Sequence, residues 1–210
     1  MSDIINQKLQ SYSVTLHMKR IVVVGVAGAG KTTLARQLAL RLSLPYVELD
    51  VLYWDANWKQ ASQEVFRERV GQVISGNCWV IDGSYSKVRD MIWSQADTII
   101  WLDYGLRTAI TRLLLRTLRR LFTHEEFWNG NHESFRRSMF TRDSIIFWAL
   151  KTYFKKQRIY LAAQSNPAYA HLNIIRLRSP YATQEWLSYL PACNYSDGLC
   201  SCGIRTDLLE

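Results

Sequence analysis

The run Gly25-Val26-Ala27-Gly28-Ala29-Gly30-Lys31-Thr32-Thr33 collects three glycines, a lysine and two hydroxyls in nine residues. It fits the pattern G-x-x-x-x-G-K-[ST], in which backbone N–H groups turn inward around an anion and bulkier side chains would block the approach. A helix starting at the end of such a loop adds unsatisfied N–H groups and the positive end of its dipole, which favours phosphate over a neutral ligand. Gly25, Gly28, Ala29, Gly30, Lys31, Thr32 and Thr33 are therefore the candidate nucleotide-binding set. In it Lys31 reaches the β- and γ-phosphates, Thr32 offers its hydroxyl to Mg²⁺, and Thr33 faces the α-phosphate or caps the helix.

Carboxylates stand at the ends of other apolar runs. Trp79-Val80-Ile81-Asp82 delivers one acid as a metal-binding strand would, so Asp82 joins Thr32 as the candidate Mg²⁺ pair. Asp103 ends Ile99-Ile100-Trp101-Leu102 in the same way, but before Tyr104-Gly105 it reads better as an opener of the next helix. Asp50 is followed by Val51-Leu52-Tyr53-Trp54 and Trp58. A carboxylate beside aromatic rings suits an acceptor with a hydroxyl and a flat ring, and a tryptophan-rich patch under a loop is the equal alternative.

Arg112, Arg116 and Arg119 are spaced four and three apart, which puts them on one helical face. Such a face stabilises the charge of a phosphoryl group in transfer, against the plainer reading of a solvated basic stripe. His124-Glu125-Glu126 and His132-Glu133 match no standard zinc spacing. Cys193, Cys200 and Cys202 form no C-x-x-C pair, and Cys78 beside Trp79 reads as core.

These residues need a scaffold that brings several strand ends to one edge. Short apolar runs at Arg20–Val24, Pro45–Leu49, Cys78–Ile81, Thr98–Leu102 and Leu172–Leu177 alternate with helical-period segments near Lys31–Leu42, Ser62–Ser75, Ser86–Ser94, Leu106–Leu121, Arg142–Ala163 and Thr183–Leu190. That alternation predicts an α/β fold with a five-stranded parallel sheet and helices on both faces. The expected division is a polar N-terminal extension over 1–17, one domain over 18–191 with an inserted lid at about 122–141, and a flexible tail over 192–210. The 210 residues are 48% apolar and 21% charged, with no apolar run of membrane-spanning length and no leader pattern, so the expected location is the cytoplasm. The net charge is +8, and residues 107–158 carry twelve Lys/Arg against four Asp/Glu, so the excess lies in that one segment.

Taken in order, the loop Gly25–Thr33, "LPYVELDVLYWDANW", "WVIDGSYSKVRDMIWSQADTIIWLDY", "FWNGNHES" and "IIRLRSP" resemble adenylate-kinase-like P-loop proteins of the DNA topology modulation (FlaR-related) family, over about Lys19 to Leu190. The resemblance implies a P-loop NTPase fold of the nucleotide-kinase type with ATP as donor. It also implies Asp82-Gly83 at an Asp-Gly turn, Arg112 and Arg116 leading into the lid, and Arg178 in the turn near the adenine. Ala27 and Ala29 stand where glycine or serine is commoner, and His132 replaces a usual basic residue. The sequence thus points to an ATP- and Mg²⁺-dependent phosphotransferase acting on a small acceptor, with Lys31, Asp50, Asp82, Arg112 and Arg116 as catalytic candidates. No N-K-x-D stretch supports guanine reading. The rival class is a nucleotide-gated nucleic-acid-binding regulator whose basic segment holds phosphodiester backbone.

Overall fold

The computed structural model describes residues 18–123 and 145–190. Strand β1 (Arg20–Gly25) leads through the phosphate loop into helix α1 (Lys31–Leu42), and β2 (Tyr46–Glu48) runs straight into the short α2 (Leu49–Tyr53). A hairpin of two-residue strands, β3 (Trp54–Asp55) and β4 (Lys59–Gln60), precedes α3 (Gln63–Ile74), β5 (Trp79–Asp82), α4 (Arg89–Gln95) and β6 (Thr98–Leu102). The long helices α5 (Leu106–Thr123) and α6 (Ile145–Gln164) come next, and β7 (Asn173–Leu177) and α7 (Pro180–Tyr189) follow.

Five strands form one sheet in the order β2-β5-β1-β6-β7, and every neighbouring pair is parallel. Ile21–Val24, Trp79–Asp82 and Thr98–Leu102 are buried throughout, which is why these runs are continuously apolar rather than alternating. Val22 and Val24 face one core with Phe66, Trp79, Ile81 and Trp101, while Ile21 and Val23 face the other with Leu34, Leu38, Ile100 and Leu187. Truncating one of the large fully buried side chains, such as Phe66 or Trp101, is expected to cost roughly 3–5 kcal/mol.

The helices are closed by local chemistry. Ser62 accepts from Val65 N–H at the start of α3, and Ser179 accepts from Ala182 N–H ahead of Pro180 at the start of α7. α1 ends on Ser43 in the left-handed region, and Arg41 donates to the Leu190 carbonyl at 2.7 Å, tying its last turn to the end of α7.

The expected sheet and its helices are present. The hairpin and α2 are additions, and α4 starts at Arg89 rather than Ser86 because Val88 keeps a non-helical conformation. α5 runs on through Thr123, and the remainder of the expected lid lies outside the described residues. So do the N-terminal extension, the tail, His124, His132 and three of the cysteines. Cys78 is fully buried, as expected, and is also disulfide-bonded, which its neighbours in sequence did not signal. No helix among the described residues is long and apolar enough to cross a membrane.

Candidate functional site

The register of the sheet builds the site. Val23 pairs with Asp82 and Glu48 also pairs with Asp82, so two acids end on neighbouring strands where β1 gives way to the loop. Gly28 and Gly30 hold φ of 81° and 90°, the left-handed region that side chains disfavour. A Cβ on Gly28 would lie 2.3 Å from the Ala109 carbonyl, so α5 packs directly against the back of the loop. Lys31 Nζ donates to the Val26 carbonyl at 3.2 Å, folded over its own loop. Gly28, Ala29, Gly30, Lys31, Thr32 and Thr33 line a wide cleft, whereas Gly25 is buried beneath them at the strand end.

Thr32 Oγ1 donates to Asp82 Oδ2 at 2.5 Å. Asp82 is 3% exposed, and its Oδ1 has no hydrogen-bond partner among the described residues. Burial pushes its carboxyl above the ordinary range, while Lys31 and the Thr32 hydroxyl pull the other way and Asp50 adds to the rise. A threonine hydroxyl beside a buried carboxylate with one unsatisfied oxygen is a hard-oxygen donor set, and it fits Mg²⁺. Among the described residues no group of three His, Cys, Asp or Glu gathers as a metal centre.

Asp50 sits in the first turn of α2 and lines the same cleft. The Tyr85 hydroxyl donates to Asp50 Oδ1, and Trp54 and Trp58 meet edge to face at 5.5 Å on the cleft wall. Arg112 and Arg116 line the cleft from α5. Arg112 donates to the Ala29 carbonyl at 3.4 Å and lies 5.7 Å from the centre of the Tyr104 ring. Arg119 is exposed on the same helix and is not among the residues that line the cleft. Arg178 is likewise exposed, and the cleft is bordered at that end by Tyr104, Pro180, Thr183 and Gln184 instead. Asp103 accepts from Arg176 at 2.5 and 2.8 Å and from Gln157 at 3.3 Å, so it is engaged in an ion pair and not in the cleft.

Three residues of the site were not singled out from the sequence. Lys156 lines the cleft from α6, and burial together with the charge of Lys31 pulls its ammonium down to about 7 against the opposing pull of Asp50 and Asp82. Its place depends on how α6 crosses the strand ends, which no local pattern encodes. Glu48, 8% exposed, lies 3.6 Å from Arg36 and accepts from the Tyr46 hydroxyl at 3.3 Å. Tyr85 had a signal available, three residues past Asp82 across the Gly83 turn.

A phosphate loop between the central strand and its helix, in a parallel sheet ordered β2-β5-β1-β6-β7, defines a P-loop α/β protein of the nucleotide-kinase type. Within that class the chain is similar to shikimate kinases. A family model described as shikimate kinase matches residues 27–74. The shikimate kinase of Parabacteroides distasonis is 40% identical over 52 residues, 25% of this chain and 30% of that protein. The shikimate kinase of Ruegeria pomeroyi is 29% identical over 123 residues, 47% of this chain and 62% of that protein. The chain thus spans less than two thirds of the length of either of these two relatives. A solved gluconokinase from Sinorhizobium meliloti 1021 overlays with a TM-score of 0.48 at 15% identity, covering 82% of this chain and 91% of that one. A solved shikimate kinase from Bacteroides thetaiotaomicron gives 0.45 at 17%, covering 81% and 94%. The resemblance stated from sequence holds at the level of the fold, a P-loop α/β sheet of the nucleotide-kinase type. The matched family model is the shikimate kinase one, not the DNA topology modulation family.

Proposed function

We propose that the protein is a phosphotransferase that moves the γ-phosphoryl group of ATP to a hydroxyl of a small acceptor, with hydroxy acids and sugars as the first candidates. One observation carries the reading: the phosphate loop with Lys31, and the acid Asp50, line the same cleft with Thr32 and Asp82 between them in the fold. The similarity of residues 27–74 to shikimate kinases supports the acceptor class.

In this reading the loop N–H groups and Lys31 hold the β- and γ-phosphates, and Arg112 and Arg116 neutralise charge on the group in transfer. Thr32 and Asp82 would hold Mg²⁺, which when bound offsets phosphate charge. Asp50 orients the acceptor hydroxyl and takes its proton as the oxygen bonds to the γ-phosphorus. The bond from that phosphorus to the β–γ bridging oxygen breaks, and ADP leaves. Lys156 adds positive charge on the acceptor side, and Trp54 and Trp58 exclude water.

Incubation with Mg·ATP and a panel of shikimate, D-gluconate, sugars and nucleosides tests the proposal by ADP release and by mass of the phosphorylated product. ADP release that rises with one of these acceptors and yields its phosphate ester is expected. Tight, steeply salt-dependent DNA binding with no acceptor turned over favours the regulator instead.

A further inference from the structure

A hydroxyl on one segment and a carboxylate on another form a directed pair beside the acceptor position. The Tyr85 hydroxyl donates to Asp50 Oδ1 across 35 residues of sequence. A phenol carries a single hydrogen, and an ionised carboxylate can only accept, so that hydrogen is directed at Asp50. The ring itself is held between Tyr53 and Phe66, with centroids 4.7 and 5.3 Å away. Tyr85 also lies on the turn that begins at Asp82, so the segment that presents the buried acid to Thr32 presents this hydroxyl to Asp50.

We propose that Tyr85 is the positioning residue of the acceptor base: it fixes one oxygen of Asp50 and so aims the other into the cleft, with the Tyr53 and Phe66 rings holding its own ring in place. The inference rests on the proposed phosphotransfer and goes beyond it, because it assigns the geometry of Asp50 to a second residue whose hydroxyl is committed to that carboxylate. Burial and the Asp50 charge hold the Tyr85 phenol well above its ordinary range, so the hydroxyl keeps its proton throughout the working range of pH. It acts as a fixed donor and not as an acid or base. A carboxylate on a five-residue helix beside an open cleft otherwise has rotational freedom that a base cannot use.

The test is a double-mutant cycle on the full chain: wild type, Tyr85→Phe, Asp50→Asn and both together, with Mg·ATP and shikimate, D-gluconate or water as the phosphoryl acceptor. Tyr85→Phe keeps the ring and should lower kcat roughly tenfold or more while leaving the KM for ATP unchanged. In the Asp50→Asn background the same change should cost nothing further, because its effect passes through the lost carboxylate. Additive losses, or an unchanged kcat in Tyr85→Phe, overturn the assignment and leave the phosphotransferase reading standing. A folded wild type that turns over ATP with none of the three acceptors overturns both. If Tyr85→Phe melts at the assay temperature, the same cycle is run at a lower temperature where all four proteins are folded: coupling with Asp50 supports the assignment and additivity refutes it.

Discussion

Replacing Asp82 by Asn should make the empty protein more stable and the nucleotide-loaded protein less so. Asp82 is 3% exposed, accepts one hydrogen bond from Thr32, and has a second oxygen with no partner among the described residues. Burial raises its carboxyl above the unfolded value, so its stabilising contribution is complete at low pH and is lost as pH rises through the folded value. At neutral pH the charge is therefore a net cost. Exchanging an incompletely compensated buried carboxylate for a neutral amide of the same shape removes the cost of burying its charge. Attraction to Lys31 and the Thr32 hydroxyl offsets part of that cost, so the net gain is on the order of 1 kcal/mol, the scale of a single hydrogen bond, which for a domain of this length moves the melting temperature by roughly 2–4 °C. With Mg·ATP the order should reverse, since the variant lacks the charged oxygen donor. A tenfold to hundredfold loss of affinity corresponds to about 1.4–2.8 kcal/mol of lost ligand protection. Thermal melts between about pH 5 and 8, with and without Mg·ATP, read both effects. The gain of the empty variant over wild type should shrink toward acid, as the native carboxyl takes up its proton. An empty variant that melts several degrees below wild type at neutral pH refutes the reasoning and makes Asp82 a structural acid.

Phosphate charge favours the ammonium form of Lys156, so ATP binding roughly one pH unit above its value of about 7 should draw in a proton. Calorimetry in two buffers of different ionisation enthalpy reads that uptake, and equal uptake by Lys156→Met would refute it. Gly28→Ala forces a side chain into the left-handed region, with its Cβ 2.3 Å from the Ala109 carbonyl, and should cost about 2–4 kcal/mol in chemical denaturation. An unchanged midpoint would mean that α5 does not press on the loop. Arg116→Ala should lower turnover on the order of a hundredfold and leave any DNA binding as it was. A DNA affinity whose salt slope drops by about one, with turnover intact, would give Arg116 to a nucleic-acid backbone instead.

The sheet was legible because each strand is a short run buried on both faces, and a continuous apolar run such as Ile21–Val24 needs no tertiary knowledge to be read. The phosphate loop was legible because its geometry is local: left-handed glycines at 28 and 30, then a helix. The acids were found by their places at strand ends, but what they do depends on distant partners. Asp82 and Asp103 have the same sequence form, yet one meets Thr32 at the loop and the other meets Arg176 from β7. Lys156 is one of a Lys155-Lys156 pair, and only the crossing of α6 over the strand ends makes it the one that lines the cleft. α2 was missed because five residues carry too little helical period to stand out.

The contact between Gly28 and α5 has a mechanical meaning. The Ala109 carbonyl and Leu113 press against a position that admits no side chain, so this stretch of α5 is wedged against the phosphate loop and has no room to close further on it. Arg112 lies inside the wedged stretch, whereas Arg116 and Arg119 lie beyond it, where bending of the helix by a given angle would carry a side chain farther.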